Sequence, residues 1–100
     1  MLLTTLNVNK EYEALGLVQG SSIKAVHLGK DVLAFLKKLI GGEVGAYGKM
    51  IAEARREAME RMIAEAEKLG ANAVIGVRFS TSTVTTGAAE ILAYGTAVKI

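Results

Sequence analysis

The chain has no cysteine and a single histidine in 100 residues. Without thiols there is no disulfide scaffold and no thiolate chemistry. That composition fits a reducing cytoplasm, which is the location we expect. Aromatic residues make up only 5% of the chain, although apolar residues make up 51%. The core must therefore be built from Ala, Val, Leu, Ile and Met. A basic stripe is also missing. The 12 Lys and Arg alternate with 10 Asp and Glu, for a net charge of +2. They are densest between Glu53 and Lys68, the pattern of a solvated helix face rather than a nucleic-acid surface. None of the aromatic residues sits in a basic run, which also argues against base stacking. No apolar stretch approaches the roughly 18 residues of a membrane span. The start, Met1 to Asn9, lacks a basic segment followed by a long apolar run, so no signal peptide is expected.

What is present fits one domain over residues 1–100. A chain of this length can bury one thin core. So much apolar surface is hard to hide in a small two-layer domain, and association between copies is its natural outlet.

Leu2 to Leu6 reads as a short strand, and Asn7 to Lys10 as a turn. Tyr12 to Gln19 reads as a second strand, with Leu15 and Leu17 on one face and Tyr12, Ala14 and Val18 on the other. Gly16 and Gly20 mark a bulge, a bend or a close backbone approach. Ser22 to Leu28 extends this strand or leads out of it. Asp31 to Ile40 reads as a first helix, with Asp31 at its start, Lys37 and Lys38 in its last turn and Gly41 at its exit. Its apolar residues fill an arc of roughly 160°, wider than docking on one sheet requires. Val32, Phe35, Leu36 and Leu39 are thus candidates for contact with another protein.

After Gly41-Gly42-Glu43, a long helix is expected from about Val44 to Leu69. Tyr47, Ile51, Ala54, Ala58, Met62, Ala66 and Leu69 recur at helical steps. On the other face, Glu53–Arg56, Arg56–Glu60, Glu57–Arg61 and Arg61–Glu65 are spaced to pair, at about 0.2–0.5 kcal/mol each. Gly70 suits the left-handed position after the helix. Asn72 to Phe79 is a strand apolar at nearly every position, so both its faces should be covered. Ser80 to Gly87 reads as a Ser/Thr-rich connection. Ala88 to Ile100 is the last strand, with Leu92, Tyr94 and Val98 on one face and Ile91, Ala93 and Ala97 on the other. The expected core includes Val18, Leu36, Ile51, Ala58, Met62, Leu69, Val74, Ile75, Val77, Leu92 and Val98.

Candidate chemistry is sparse. Gly42 to Lys49 looks like a phosphate loop, but Glu43 stands where that motif needs Gly, and Met50 where it needs Ser or Thr. Soft metals want thiolate, thioether or imidazole ligands. Met59 and Met62 lie on the apolar stripe and suit packing. His27, with Asp31 four residues on, is the candidate metal pair, and a divalent metal is the one cofactor to consider. A ring that repeats His27 around its axis would turn one imidazole per chain into a cluster. Glu90 stands out in a largely apolar strand, and Arg78 on the neighbouring strand is a plausible partner, within or between subunits. No Ser-His-Asp arrangement is indicated.

Several segments together resemble the YbjQ-like family, which carries a heavy-metal-binding label. They are Gly16-Leu-Val-Gln-Gly20, Gly41-Gly42-Glu43, Tyr47, Ala54-Arg55, Leu69 to Gly76 and Gly95-Thr-Ala-Val98. The resemblance implies an α+β subunit of the dodecin-like kind, assembled into a ring, usually a pentamer. It also implies a family whose function is open. The segment around Val32 to Leu39 is more apolar than the family pattern, natural or engineered, and raises a second interface. We therefore expect an antiparallel-rich sheet packed on one long and one short helix. The leading functional expectation is a non-enzymatic homo-oligomer, a pentamer by resemblance, able to bind a metal or small ligand. An interaction scaffold that docks a partner on helix 31–40 is one alternative. A small-molecule binder or enzyme with an intersubunit pocket is the other.

Overall fold

A computed structural model describes residues 1–25, 44–85 and 88–100. The elements are β1 (Leu2–Leu3), β2 (Glu13–Ala25), α1 (Val44–Lys68), β3 (Ala73–Thr85) and β4 (Ala88–Lys99). The strands form one sheet in the order β1-β3-β4-β2. β4 lies antiparallel to both β2 and β3, and β1 adds a short parallel pair on the outer side of β3. This is an α+β fold with an antiparallel-rich, mixed sheet. The expected helix over 31–40, including the expected core residue Leu36, lies outside the described residues.

α1 is where the Ala, Glu, Arg, Met and Lys content of residues 52–68 favours a helix. Its end is set by Gly70, which adopts φ 82°. The N–H of Gly70 donates to the Glu67 carbonyl and that of Ala71 to the Ala66 carbonyl. These two bonds are a Schellman cap, which only a residue tolerant of left-handed geometry supports cheaply. The chain then turns straight into β3. One expectation fails here: Leu69 is 47% exposed, because the cap carries it past the last packed turn.

α1 lies over β2 and β4 and meets β3 least. Its inner ridge is Ala54, Ala58, Met62 and Ala66, at steps of four. These pack with Val18, Val74, Val77, Ile91, Ala93 and Ala97 into the main core. A ridge of alanines lets helix and strand approach closely, and Gly20 completes the fit. A Cβ at Gly20 would collide with the backbone of Ala58 and Met62. Full burial of Met62, Ile91, Val18 and Val74 contributes roughly 1.5–3 kcal/mol each.

A smaller cluster sits on the opposite face of the sheet, where Val8 packs on Ala73, Ile75 and Val98. The alternation expected for β4 is observed, with Ile91, Ala93 and Ala97 on the helix side and Val98 on the other. Leu92 and Ile51 are only half-buried. In β2 the expected pairing of Leu15 with Leu17 fails. A bulge between Ala14 and Gly16 puts an extra residue into the strand. Leu15 consequently packs toward the helix with Val18, while Leu17 is 72% exposed. The expected connection over 80–87 is also revised. β3 continues to Thr85 paired with β4, with a bulge between Thr83 and Thr85, because Thr81, Thr83, Val84 and Thr85 are strand formers.

Candidate functional site

Among the described residues two places gather polar side chains. The first lies between β2 and α1. Gly20, Ser22 and Lys24 share the helix side of β2, at the two-residue period of a strand. Glu53 and Glu57 stand one turn apart on α1. The buried Ser22 hydroxyl donates to Glu57 Oε2 at 2.7 Å. Lys24 Nζ donates to Glu57 Oε1 at 2.9 Å and lies 3.6 Å from Glu53. The Ser22 hydroxyl, then the Lys24 ammonium, hold the Glu57 carboxyl below its ordinary range. In turn the hydrogen bond to Glu57 pushes Lys24 up. The chemistry of the cluster follows from those directions. A catalytic lysine needs a depressed pKa, and Lys24 is held charged. The Ser22 hydroxyl donates its hydrogen bond to a carboxylate that also accepts from an ammonium. The site locks α1 onto β2, and the lysine fills the place a cation would take.

The sequence pattern anticipated only part of this. Arg56 pairs with Glu60 at 3.1 Å as spaced. Glu57, expected to pair with Arg61, turns to the strand instead, and Arg61 donates to the Ser21 carbonyl. The available signal was the coincidence of Gly20-x-Ser22-x-Lys24 on one strand face with Glu53-x-x-x-Glu57 on the helix.

The second place is the helix-free face of the sheet. The register puts three rows of side chains across it: Gln19, Tyr94 and Arg78; Ser21, Leu92 and Ser80; Ile23, Glu90 and Ser82. Leu17 and Thr96 flank the first row. Leu17 and Ile23 are exposed, at 72% and 57%, while Glu90, Leu92, Tyr94 and Thr96 are half-buried. Arg78 and Glu90 do lie on neighbouring strands, but Arg78 is opposite Tyr94 and Glu90 opposite Ser82. That is a separation of about 13 Å along the strand. Arg78 donates instead to the carbonyls of Thr5, at 2.8 Å, and Val77, at 2.9 Å. Within one chain the two are not brought together.

His27 and Asp31 lie outside the described residues, as do Val32, Phe35, Leu36 and Leu39. Among the described residues no three His, Cys, Asp or Glu side chains cluster to hold a metal ion. Met62 is fully buried in the core. The described donors of one chain do not fit a soft metal. No described helix is long and apolar enough to cross a membrane.

The arrangement defines a class first: an α+β fold whose described residues place one helix on one face of a mixed four-stranded sheet. A solved protein of unknown function from Pediococcus pentosaceus, of the DUF74 family, shares this fold. It matches with a TM-score of 0.69 at 18% identity, covering 100% of this chain and 97% of that one. The chain itself belongs to the YbjQ family, whose model, described as "Putative heavy-metal-binding", matches residues 1–100. A UPF0145 protein of Thermosipho africanus is 56% identical over 102 residues, covering 100% of this chain and 94% of that relative. Another, from Methanosarcina acetivorans, is 58% identical over 88 residues, covering 88% and 83%. These names assign no activity, and the family is uncharacterised.

Proposed function

We propose that the chain is a non-enzymatic subunit of a closed homo-oligomer, with five copies the number the family resemblance implies. Any metal or small ligand is bound between copies rather than within one. The observation that carries this reading is the helix-free sheet face, where Leu17 and Ile23 stand in solvent beside half-buried Leu92 and Tyr94. An assembly offers Glu90 an intersubunit pair with Arg78 of the next copy, which Arg78 would make with donors beyond those it gives to the Thr5 and Val77 carbonyls.

Light scattering of the purified protein at micromolar concentration tests the reading. A closed oligomer is expected, and a monomer would overturn it. The metal clause is tested by calorimetry with zinc, copper and nickel on the native chain and on His27→Ala. Binding that needs His27 supports an intersubunit site, and its absence removes the metal from the proposal.

A further inference from the structure

Taking the chain as a subunit of an oligomer, as above, we propose that copies join edge to edge. In this contact β2 of one copy pairs in parallel with the outer half of β3, Phe79–Thr85, of the next.

Among the described residues neither edge has a full strand partner. β2 is the last strand of the sheet, with no partner on its outer side among the described residues. The outer side of β3 is partly covered by the N-terminal segment. Thr4 bonds to Val74 and Val77, Leu6 to Gly76, and Arg78 holds the Thr5 carbonyl. That cover stops at Val77 and Arg78. From Phe79 to Thr85, about 23 Å of strand, no described strand lies on this side.

Proteins normally blunt such edges with charges, proline, bulges or short strands. The stretch Phe79–Thr85 contains no charge and no proline. β2 runs for 13 residues with charges only at Glu13 and Lys24. Lys24 is turned onto the helix and tied to Glu57. The outer rims are therefore clear of free charge and of proline over lengths that suit each other, between a bulge at Ala14/Gly16 in β2 and one at Thr83/Thr85 in β3. Arg61 donates to the Ser21 carbonyl at the β2 rim, but a carbonyl has a second lone pair for a strand N–H.

Phe79 gives an independent reason for the pairing. It is in register with Ala93, whose side chain is buried on the helix side. Yet Phe79 is 45% exposed, because α1 rides on β2 and β4 and meets β3 least. A neighbour that adds its β2 beside β3 brings its own α1 alongside and over Phe79. One contact then satisfies the backbone and covers the ring.

The direction follows from topology. β2 and β3 are both antiparallel to β4, so they run parallel to each other. Copies related by rotation about an axis along the strands present β3 parallel to the neighbour's β2. Such a head-to-tail contact closes into a ring or grows as a fibre. A two-fold contact would instead pair like edges, β2 with β2 or β3 with β3.

The cysteine-free chain allows a direct test. Ser82→Cys is combined in turn with Leu17→Cys, Gln19→Cys, Ser21→Cys and Ile23→Cys, all on the helix-free face. Within one chain Ser82 and Ile23 flank Glu90, about 10 Å apart across two strand spacings, which is too far for a disulfide. We expect one or two adjacent double variants to give a ladder of covalent oligomers on mild oxidation, while each single variant stays unlinked. Dimers from a single variant would overturn the head-to-tail pairing in favour of a two-fold one. An oligomer by light scattering with no ladder from any double variant would overturn the edge contact and leave the assembly reading standing. A monomer by light scattering would overturn both.

Discussion

The two faces of this sheet are made by the same strands with the same alternation, yet they end differently. On one face Gly20, Ala93 and Ala97 meet Ala54, Ala58, Met62 and Ala66, and helix and sheet close on each other. On the other, Val8 covers Ala73, Ile75 and Val98 at one end, and the rest carries Leu17, Ile23, Leu92 and Tyr94 without a described cover. Small residues mark the face meant to be approached by the chain's own backbone. Larger ones, mixed with Arg78 and Glu90, mark the face left for something else. A strand apolar on both sides needs two covers; the apolar stretch of β3 has them, in α1 and in Val8, while the mixed polar and apolar remainder of this face has none among the described residues.

The sharpest way to break the closed face is to hollow it. Met62→Ala empties a fully buried site and should cost about 3 kcal/mol, read as a lowered urea midpoint with an unchanged slope. Gly20→Ala attacks the same face from the other side. Its Cβ meets the backbone of Ala58 and Met62 rather than a movable side chain, so we expect a loss of about 2 kcal/mol. The same measurement on Gln19→Ala, the neighbouring residue on the open face, should show a change within about 0.5 kcal/mol. Equal losses at 19 and 20 would erase the distinction between the faces.

The closed face was largely legible in the sequence. The steps of four along α1, the cap at Gly70 and the alternation of β4 are local patterns, and local patterns survive folding. What was not legible depends on register. The bulge at Gly16 reverses Leu15 against Leu17, and no periodicity count locates an inserted residue. Ser80 to Thr85 looked like a loop because serine and threonine serve turns as readily as strands. Pairing with β4 decides that choice, and pairing is not local. The Ser22–Glu57–Lys24 cluster likewise needs the strand laid against the helix before its parts are neighbours. Arg78 and Glu90 were correctly put on adjacent strands, but a four-residue offset separates them.

Acid and base sharpen the comparison at the seam between β2 and α1. Glu57 is held below its ordinary 4.5 by the Ser22 hydroxyl and then Lys24. Its contribution to stability is therefore present above pH 4.5 and is lost as the pH falls through the lowered value. Lys24 is raised above 10.5 by its bond to Glu57, so its contribution holds below pH 10.5 and is lost as the pH rises through the raised value. Urea midpoints measured from pH 5 down to pH 3 should fall, and Glu57→Gln should flatten that fall. An unchanged profile in Glu57→Gln would mean that the seam is held by packing alone.

The smallest effect on the fold is expected where the effect on assembly is largest. Leu17 is the most exposed large apolar side chain among the described residues, at 72%. Leu17→Ser therefore removes little that one chain buries, and the stability of an isolated subunit should change by less than about 0.5 kcal/mol. If the open face is covered by a neighbour, the same substitution puts a hydroxyl into that contact and shifts the oligomer toward free subunits on dilution. Sedimentation of native and variant protein over a concentration series separates the two effects. Dissociation at higher concentration in Leu17→Ser, with an unchanged denaturation profile for the dissociated chain, is the expected outcome. A variant that keeps its assembly would show that Leu17 lies outside the contact and move the cover toward Ile23 and Leu92.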